Sequence, residues 1–100
     1  MIKHIVMFKL RKCEIPGDKI RASRKIKEKL EALVDHIPEL KSMEVGINIS
    51  PRPTAYDLVL VSEFENEEDF ETYRIHPKHL EVVEFIKKVS EMSAVVDYEF

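Results

Sequence analysis

The sequence predicts an α+β sandwich with helices on one face of a four-stranded sheet, and three observations carry that prediction. Four segments alternate with the two-residue period of a strand, longer stretches place apolar residues three and four apart as a helix does, and proline or glycine punctuates several joins. The order is strand, helix, strand, strand, helix, strand, which is the split βαβ plan of a ferredoxin-like βαββαβ fold.

Met1 to Leu10 is the first predicted strand. His4, Val6 and Phe8 share one face, and Lys3, Ile5, Met7 and Lys9 share the other; apolar residues on both predict cover on both. Ile15-Pro16-Gly17-Asp18 has turn chemistry, with Asp18 placed to cap the first helix. That helix is expected from about Lys19 to Ile37, where Ile26, Leu30, Leu33, Val34 and Ile37 recur at helical spacing and Pro38 opposes continuation. The second strand is expected over Met43 to Ile49, with Gly46 marking a bulge or a close backbone approach, and Ser50-Pro51-Arg52-Pro53 ends it. Tyr56 to Phe64 reads as the third strand, and its Leu58-Val59-Leu60-Val61 run predicts burial on both faces.

Asn66 is placed to cap a helix that opens on Glu67-Glu68-Asp69, carboxylates suited to the positive end of the helix dipole. This helix carries Phe70 and Tyr73 and then meets Pro77, which must interrupt it. A further helix from about Lys78 to Ser90 presents Leu80, Val82, Val83, Phe85, Ile86 and Val89, an arc wide enough to touch the sheet and a second surface. Ala94 to Phe100 alternates as the last strand.

Composition narrows the function classes. A chain of 100 residues predicts one domain, 1–100, with a thin core that a partner subunit would help to complete. Sixteen basic against nineteen acidic residues give a net charge of −3, which offers no general attraction to nucleic acid or to a membrane surface. The single Cys13 can make neither an internal disulfide nor a metal cage, and no His-Asp pair lies nearby in sequence to activate it. With no eighteen-residue apolar run and no leader-like start, the expected compartment is the cytoplasm. The sheet face carrying Ile5 and Met7 would be bare in a monomer, so a face-to-face homodimer is expected.

Met1-Ile2-Lys3-His4-Ile5-Val6, Val45-Gly46, Asp57-Leu58-Val59-Leu60-Val61, Tyr73 with His76-Pro77-Lys78-His79, and Val95-Val96-Asp97-Tyr98 occur in an order and spacing that resembles the stress-responsive dimeric α/β-barrel family over essentially the whole chain. The resemblance implies ferredoxin-like protomers whose sheets meet across a two-fold axis to close a barrel. The family includes heat-stable plant stress proteins and polyketide cyclases, and most members have no assigned reaction, so the fold does not decide the function.

The resemblance also implies a pocket between helices and sheet, with His79 and Tyr73 at the positions of the cyclases' catalytic pair and His4 and Val6 at two further pocket positions. Ile26 and Leu30 stand where the cyclases tend to place aromatic residues, which implies a cavity of different shape. The expected ligand-binding set is His4, Val6, Phe8, Ile26, Leu30, Tyr73, His76, Val82 and Val83. Chemically, a neutral imidazole can take a proton alpha to a carbonyl while a phenol hydrogen-bonds the developing oxyanion. The alternative is structural: His79 pins the helix after Pro77, His76 bonds backbone at the break, Tyr73 is an aromatic with a satisfied hydroxyl, and His4 is a core residue.

A transition-metal site built on His4, His76 and His79 has little support, because His76 and His79 straddle Pro77. Plant-type relatives imply a hard cation, Mg²⁺ or Na⁺, on the backbone oxygens of Val34, Ile37 and Leu40 after the first helix; water could serve the same carbonyls. No other cofactor is expected. The basic early turns of the first helix would suit an anionic thioester carrier, or form a solvated face with Glu28 and Glu31 as partners.

The leading expectation is a stress-responsive homodimer of unassigned biochemical role that binds a small hydrophobic or carbonyl-containing ligand between helices and sheet. The alternative is a cofactor-independent cyclase, lyase or isomerase using His79 and Tyr73 in proton transfer on a polyketide-like substrate. The competing class is a non-catalytic stress or assembly protein.

Overall fold

A computed structural model describes residues 1–12 and 17–100, so the expected turn at Ile15-Pro16 and the loop position of Cys13 lie outside the described residues. The elements are β1 (Ile2–Leu10), α1 (Asp18–Ala32) with a tighter turn at Leu33–Asp35, β2 (Ser42–Ile47), β3 (Leu58–Phe64), α2 (Glu67–Ile75), α3 (Pro77–Val89) and β4 (Ser90–Glu99). All pairings are antiparallel in the order β2-β3-β1-β4, and this is the predicted ferredoxin-like α+β arrangement.

Register follows the alternation. Ile2, Val6 and Phe8 of β1, Leu58, Leu60 and Phe64 of β3, and Val45 of β2 point under the helices and are buried with Ile26, Leu30 and Ile86. The opposite face carries Ile5, Met7, Val59 and Val61, continued across β4 by Met92, Val96 and Tyr98. β3 is therefore fully buried on one face and half-buried on the other, where the sequence predicts burial on both. β4 is one of the two edge strands, and even its helix-side Val95 is exposed, because the helices cover the rest of the sheet better than this edge.

Several boundaries move for local reasons. Gly17, with φ 87°, takes the cap position of α1 expected for Asp18; Asp18 is the first helical residue and pairs with Arg21 at 2.5 Å. The α-helix stops at Ala32 rather than Ile37, and the Leu33 carbonyl accepts the N–H groups of His36 and Ile37 at 3.0 and 2.9 Å. β2 ends at Ile47 because Asn48 makes a turn of its own, exchanging side-chain bonds with Ser50 at 2.9 Å. Asp57 precedes β3, its carboxylate accepting the Leu10 N–H at 2.6 Å. Gly46 stays in register with Val59, where a Cβ would come within 3.4 Å of a Val59 methyl, so it marks a close approach; the irregularity in the sheet lies between Lys9 and Leu10. β4 begins at Ser90, four residues before the expected Ala94, with no residue between it and α3. Among the described residues no helix is long and apolar enough to cross a membrane.

Candidate functional site

The break at Pro77 builds the site. α2 opens on the predicted Asn66 cap, whose side chain accepts the Asp69 N–H at 2.8 Å, and ends at Ile75 because Pro77 has no N–H to continue the ladder. The chain restarts with Pro77 at the first position of α3, and the His76 ring caps it, Nδ1 accepting the Lys78 N–H at 3.1 Å. That bond takes up the amide that would otherwise reach back to Arg74. The Arg74 carbonyl instead accepts from Nδ1 of His79 at 3.0 Å. A carbonyl oxygen only accepts, so Nδ1 carries the hydrogen and Nε2 of the neutral ring keeps its lone pair.

Burial lowers the pKa of His79 from its ordinary 6.5; the Arg74 carbonyl bond works against that, and the neighbouring charges of His4, Arg74 and His76 add to the lowering. At pH 7 His79 is therefore neutral. Tyr73, completely buried, packs against it with ring centres 4.2 Å apart, and the Phe64 ring lies 5.0 Å from that of Tyr73. The Tyr73 hydroxyl is buried with no hydrogen-bond partner among the described residues, and desolvation pushes its pKa far above the ordinary phenol value.

His4 reaches the same region from β1. Its register partner on β4 is Asp97, whose carboxylate accepts from Nδ1, and its ring lies 4.8 Å from Phe70. Nε2 of His4 is thus also the nitrogen left for a ligand. His4 and His79 line a cavity of about 390 Å³ floored by Val6, Phe8, Leu30, Leu60, Val83 and Ile86, with Lys87 and residues 90–93 at its mouth. The uncovered edge β4 makes that mouth.

Of the expected ligand set, His4, Val6, Phe8, Leu30 and Val83 line this cavity, and His79 joins them. Ile26 and Val82 are core residues, Tyr73 packs under the imidazole instead of facing the cavity, and His76 is occupied as a helix cap; none of these four lines the wall. Sequence reasoning overlooked Leu60, Ile86, the mouth residues and Asp97 as a partner of His4. The signal for Asp97 was a charged residue on the inward phase of a strand that this fold pairs with β1. No three His, Cys, Asp or Glu side chains among the described residues converge as metal ligands. In the turn after α1, the Ile37 carbonyl accepts the Leu40 N–H at 3.0 Å, so one of the three carbonyls expected to hold a cation already has an amide partner.

An inward sheet face under two imidazoles, with an open apolar face behind it, describes a ferredoxin-like protomer with one lined cavity beside the His79 break. The family model for the stress responsive A/B barrel domain matches residues 2–100, and the chain belongs to that family. It is 33% identical to an uncharacterised protein of Streptomyces coelicolor over the full length of both chains. A dimeric ferredoxin-like protein of unknown function from Bacteroides fragilis is 37% identical, with a TM-score of 0.90 over 99% of this chain and 95% of the other. The hydroxynitrile lyase of Passiflora edulis shares the fold, with a TM-score of 0.79 at 23% identity over 97% of this chain and 90% of its own.

Proposed function

We propose that the protein is a homodimer joined through its open sheet face, and that each protomer binds a small, largely apolar carbonyl compound in the cavity between α1, α3 and the sheet. The observation that supports this reading best is the pair of imidazoles on one apolar cavity, each tethered through Nδ1 so that Nε2 remains for the ligand.

The neutral state of His79 favours a catalytic form of the same reading. Its Nε2 takes a proton from the carbon next to the carbonyl, the C–H electron pair moves into the enolate, and the charge collects on the carbonyl oxygen. His4, held by Asp97 through Nδ1, orients the ligand in the same cavity. Tyr73 serves by holding the His79 ring, and its hydroxyl reaches the oxyanion only if the cavity opens towards it. The proton returns to the same or a neighbouring carbon, so no cofactor is consumed.

The test uses acetophenone in D₂O, following exchange of its methyl hydrogens by NMR. The reading expects exchange catalysed by the wild-type protein, lowered by His79→Gln about a hundredfold or more, with the acid limb of its pH profile centred below 6.5 because the His79 pKa is lowered. Neither binding nor exchange of this and related aryl ketones would remove the reading. A structural cation at the Val34, Ile37 and Leu40 carbonyls is a separate proposal: Mg²⁺ or Na⁺ should raise the melting temperature over that in EDTA with K⁺, and identical values exclude it.

A further inference from the structure

The two edges of the sheet are not equivalent. In an antiparallel ladder bonded pairs fall at every second residue, so an edge strand turns the N–H and C=O of alternate residues outward. On β2 the Asn48 N–H reaches the Asp57 carbonyl at 2.9 Å, which leaves Met43, Val45 and Ile47 as the outward residues. α1 closes the middle one. Lys27 Nζ donates to the Val45 carbonyl at 2.6 Å, the Glu31 carboxylate accepts the Val45 N–H at 3.1 Å, and Lys27 and Glu31 bond each other at 2.8 Å. These side chains make the two bonds that a residue of an added strand would make, so a strand could join β2 only by displacing the ion pair.

β4 has no such cover. The Phe100 N–H reaches the Met1 carbonyl at 3.0 Å and the Met1 ammonium donates to the Phe100 carbonyl at 3.3 Å. The same alternation then turns Ser93, Val95, Asp97 and Glu99 outward. All four are exposed, and their N–H and C=O groups find no backbone partner among the described residues. This free edge also borders the open face, where Met92, Val96, Tyr98 and Phe100 are exposed and the Lys3 ammonium lies 4.4 Å from the Phe100 ring centre.

We propose that the β4 strands of two copies pair antiparallel across the two-fold axis, with Val96 opposite Val96 of the partner subunit, so that the two sheets share a seam along one edge of their open faces. The proposal rests on the homodimer proposed above and supplies its register. Outward residues must oppose outward residues, so the possible centres can be compared one by one. Centring on Val95 sets Glu91 against the partner's Glu99, centring on Asp97 sets that carboxylate against its own copy, and centring on Tyr98 sets Asp97 against the partner's Glu99. Centres at Ser93 or Ala94 drive the partner's strand end onto α3. Centring on Val96 opposes no acids. Val95 then bonds the partner's Asp97 and Ser93 the partner's Glu99, while Val96, Ala94 and Met92 meet Val96, Tyr98 and Phe100 of the partner subunit at the closer, non-bonded positions. The seam reaches the imidazole cavity. Ser93 lines its mouth and Asp97 holds His4, so the partner's Glu99 and the partner's Val95 complete the rim along this edge.

Three measurements test the seam. In a Cys13→Ser background, Val96→Cys sets two thiols on the axis at the Cα separation of about 4.5 Å of a non-bonded pair, within reach of a disulfide. Mild oxidation should turn most of that variant into a covalent dimer, whereas Val95→Cys, which would face the partner's Asp97, should stay largely uncrosslinked. Val95→Pro removes an outward N–H that β1 does not use; by symmetry two seam bonds are lost, and association followed by sedimentation over a dilution series should weaken about a hundredfold. Met43→Pro, the same change on the closed edge, should leave association unchanged. The third measurement needs no substitution: hydrogen exchange at the Val95 and Asp97 amides should be slow in the wild-type dimer and should accelerate on dilution. Crosslinking at 95 in preference to 96, or fast exchange at those two amides in an intact dimer, would overturn the seam. A dimer that Val96→Glu separates, but that shows neither the disulfide nor the protection, would keep the open-face homodimer and remove the seam; a wild-type monomer at every concentration would remove both.

Discussion

At the scale of single residues, the informative groups are those whose hydrogen bonds are forced. His79 is tied to Arg74 because a proline removed one amide and His76 took the next, and burial then lowers its pKa. The lowered folded-state value makes its contribution to stability fully present above the unfolded pKa near 6.5 and progressively lost as pH falls below it, since the unfolded chain takes up the proton first. Thermal unfolding across pH 5 to 8 should show this loss in the wild type and less of it in His79→Gln; identical profiles would mean that the ring is not desolvated. Tyr73 makes the opposite case. Its hydroxyl is buried without a described partner, so Tyr73→Phe should stabilise the protein by about 1 kcal/mol in urea unfolding, and a loss of similar size would reveal a bond that the hydroxyl makes. The sequence showed that His79 and Tyr73 sit together at a bend, but not that the phenol turns under the ring, because the direction of a side chain at a helix break is decided by packing against Phe64. Asp97 was visible only once β4 was set beside β1 in register.

Elements were more legible than side chains. Alternation and the Asn66 and Pro77 signals located every strand and helix, whereas the ends moved where a local bond outweighed periodicity, as at Asn48 and Ala32. The His76-Pro77 junction gives a clean element-scale test. His76 is a cap and does not line the cavity, so His76→Ala should destabilise by about 1 kcal/mol while His79 and ligand-shift readouts keep their wild-type response. Loss of ketone binding at unchanged stability would place His76 in the site instead. Asn66→Ala, at the start of α2, should cost a similar amount by urea unfolding.

For the whole molecule, the open face is the dominant feature. Val96 is 60% exposed and Met92 50%, beside Ile5, Met7, Val59 and Val61. In the proposed dimer Val96→Glu would bury an unpaired carboxylate and weaken association about a hundredfold or more, read by sedimentation over a dilution series; an unchanged dimer would move the interface elsewhere. The dimeric Bacteroides fragilis relative supports such an assembly. β4 links that assembly to the cavity. The strand follows α3 without an intervening residue, its first four residues border the cavity mouth, and Met92, Val96 and Tyr98 belong to the open face. In the proposed dimer there is then no slack between mouth and seam, and occupancy and pairing become reciprocal quantities: a ligand that fastens the mouth lowers the protein concentration at which two chains join, and dilution to single chains loosens the ligand.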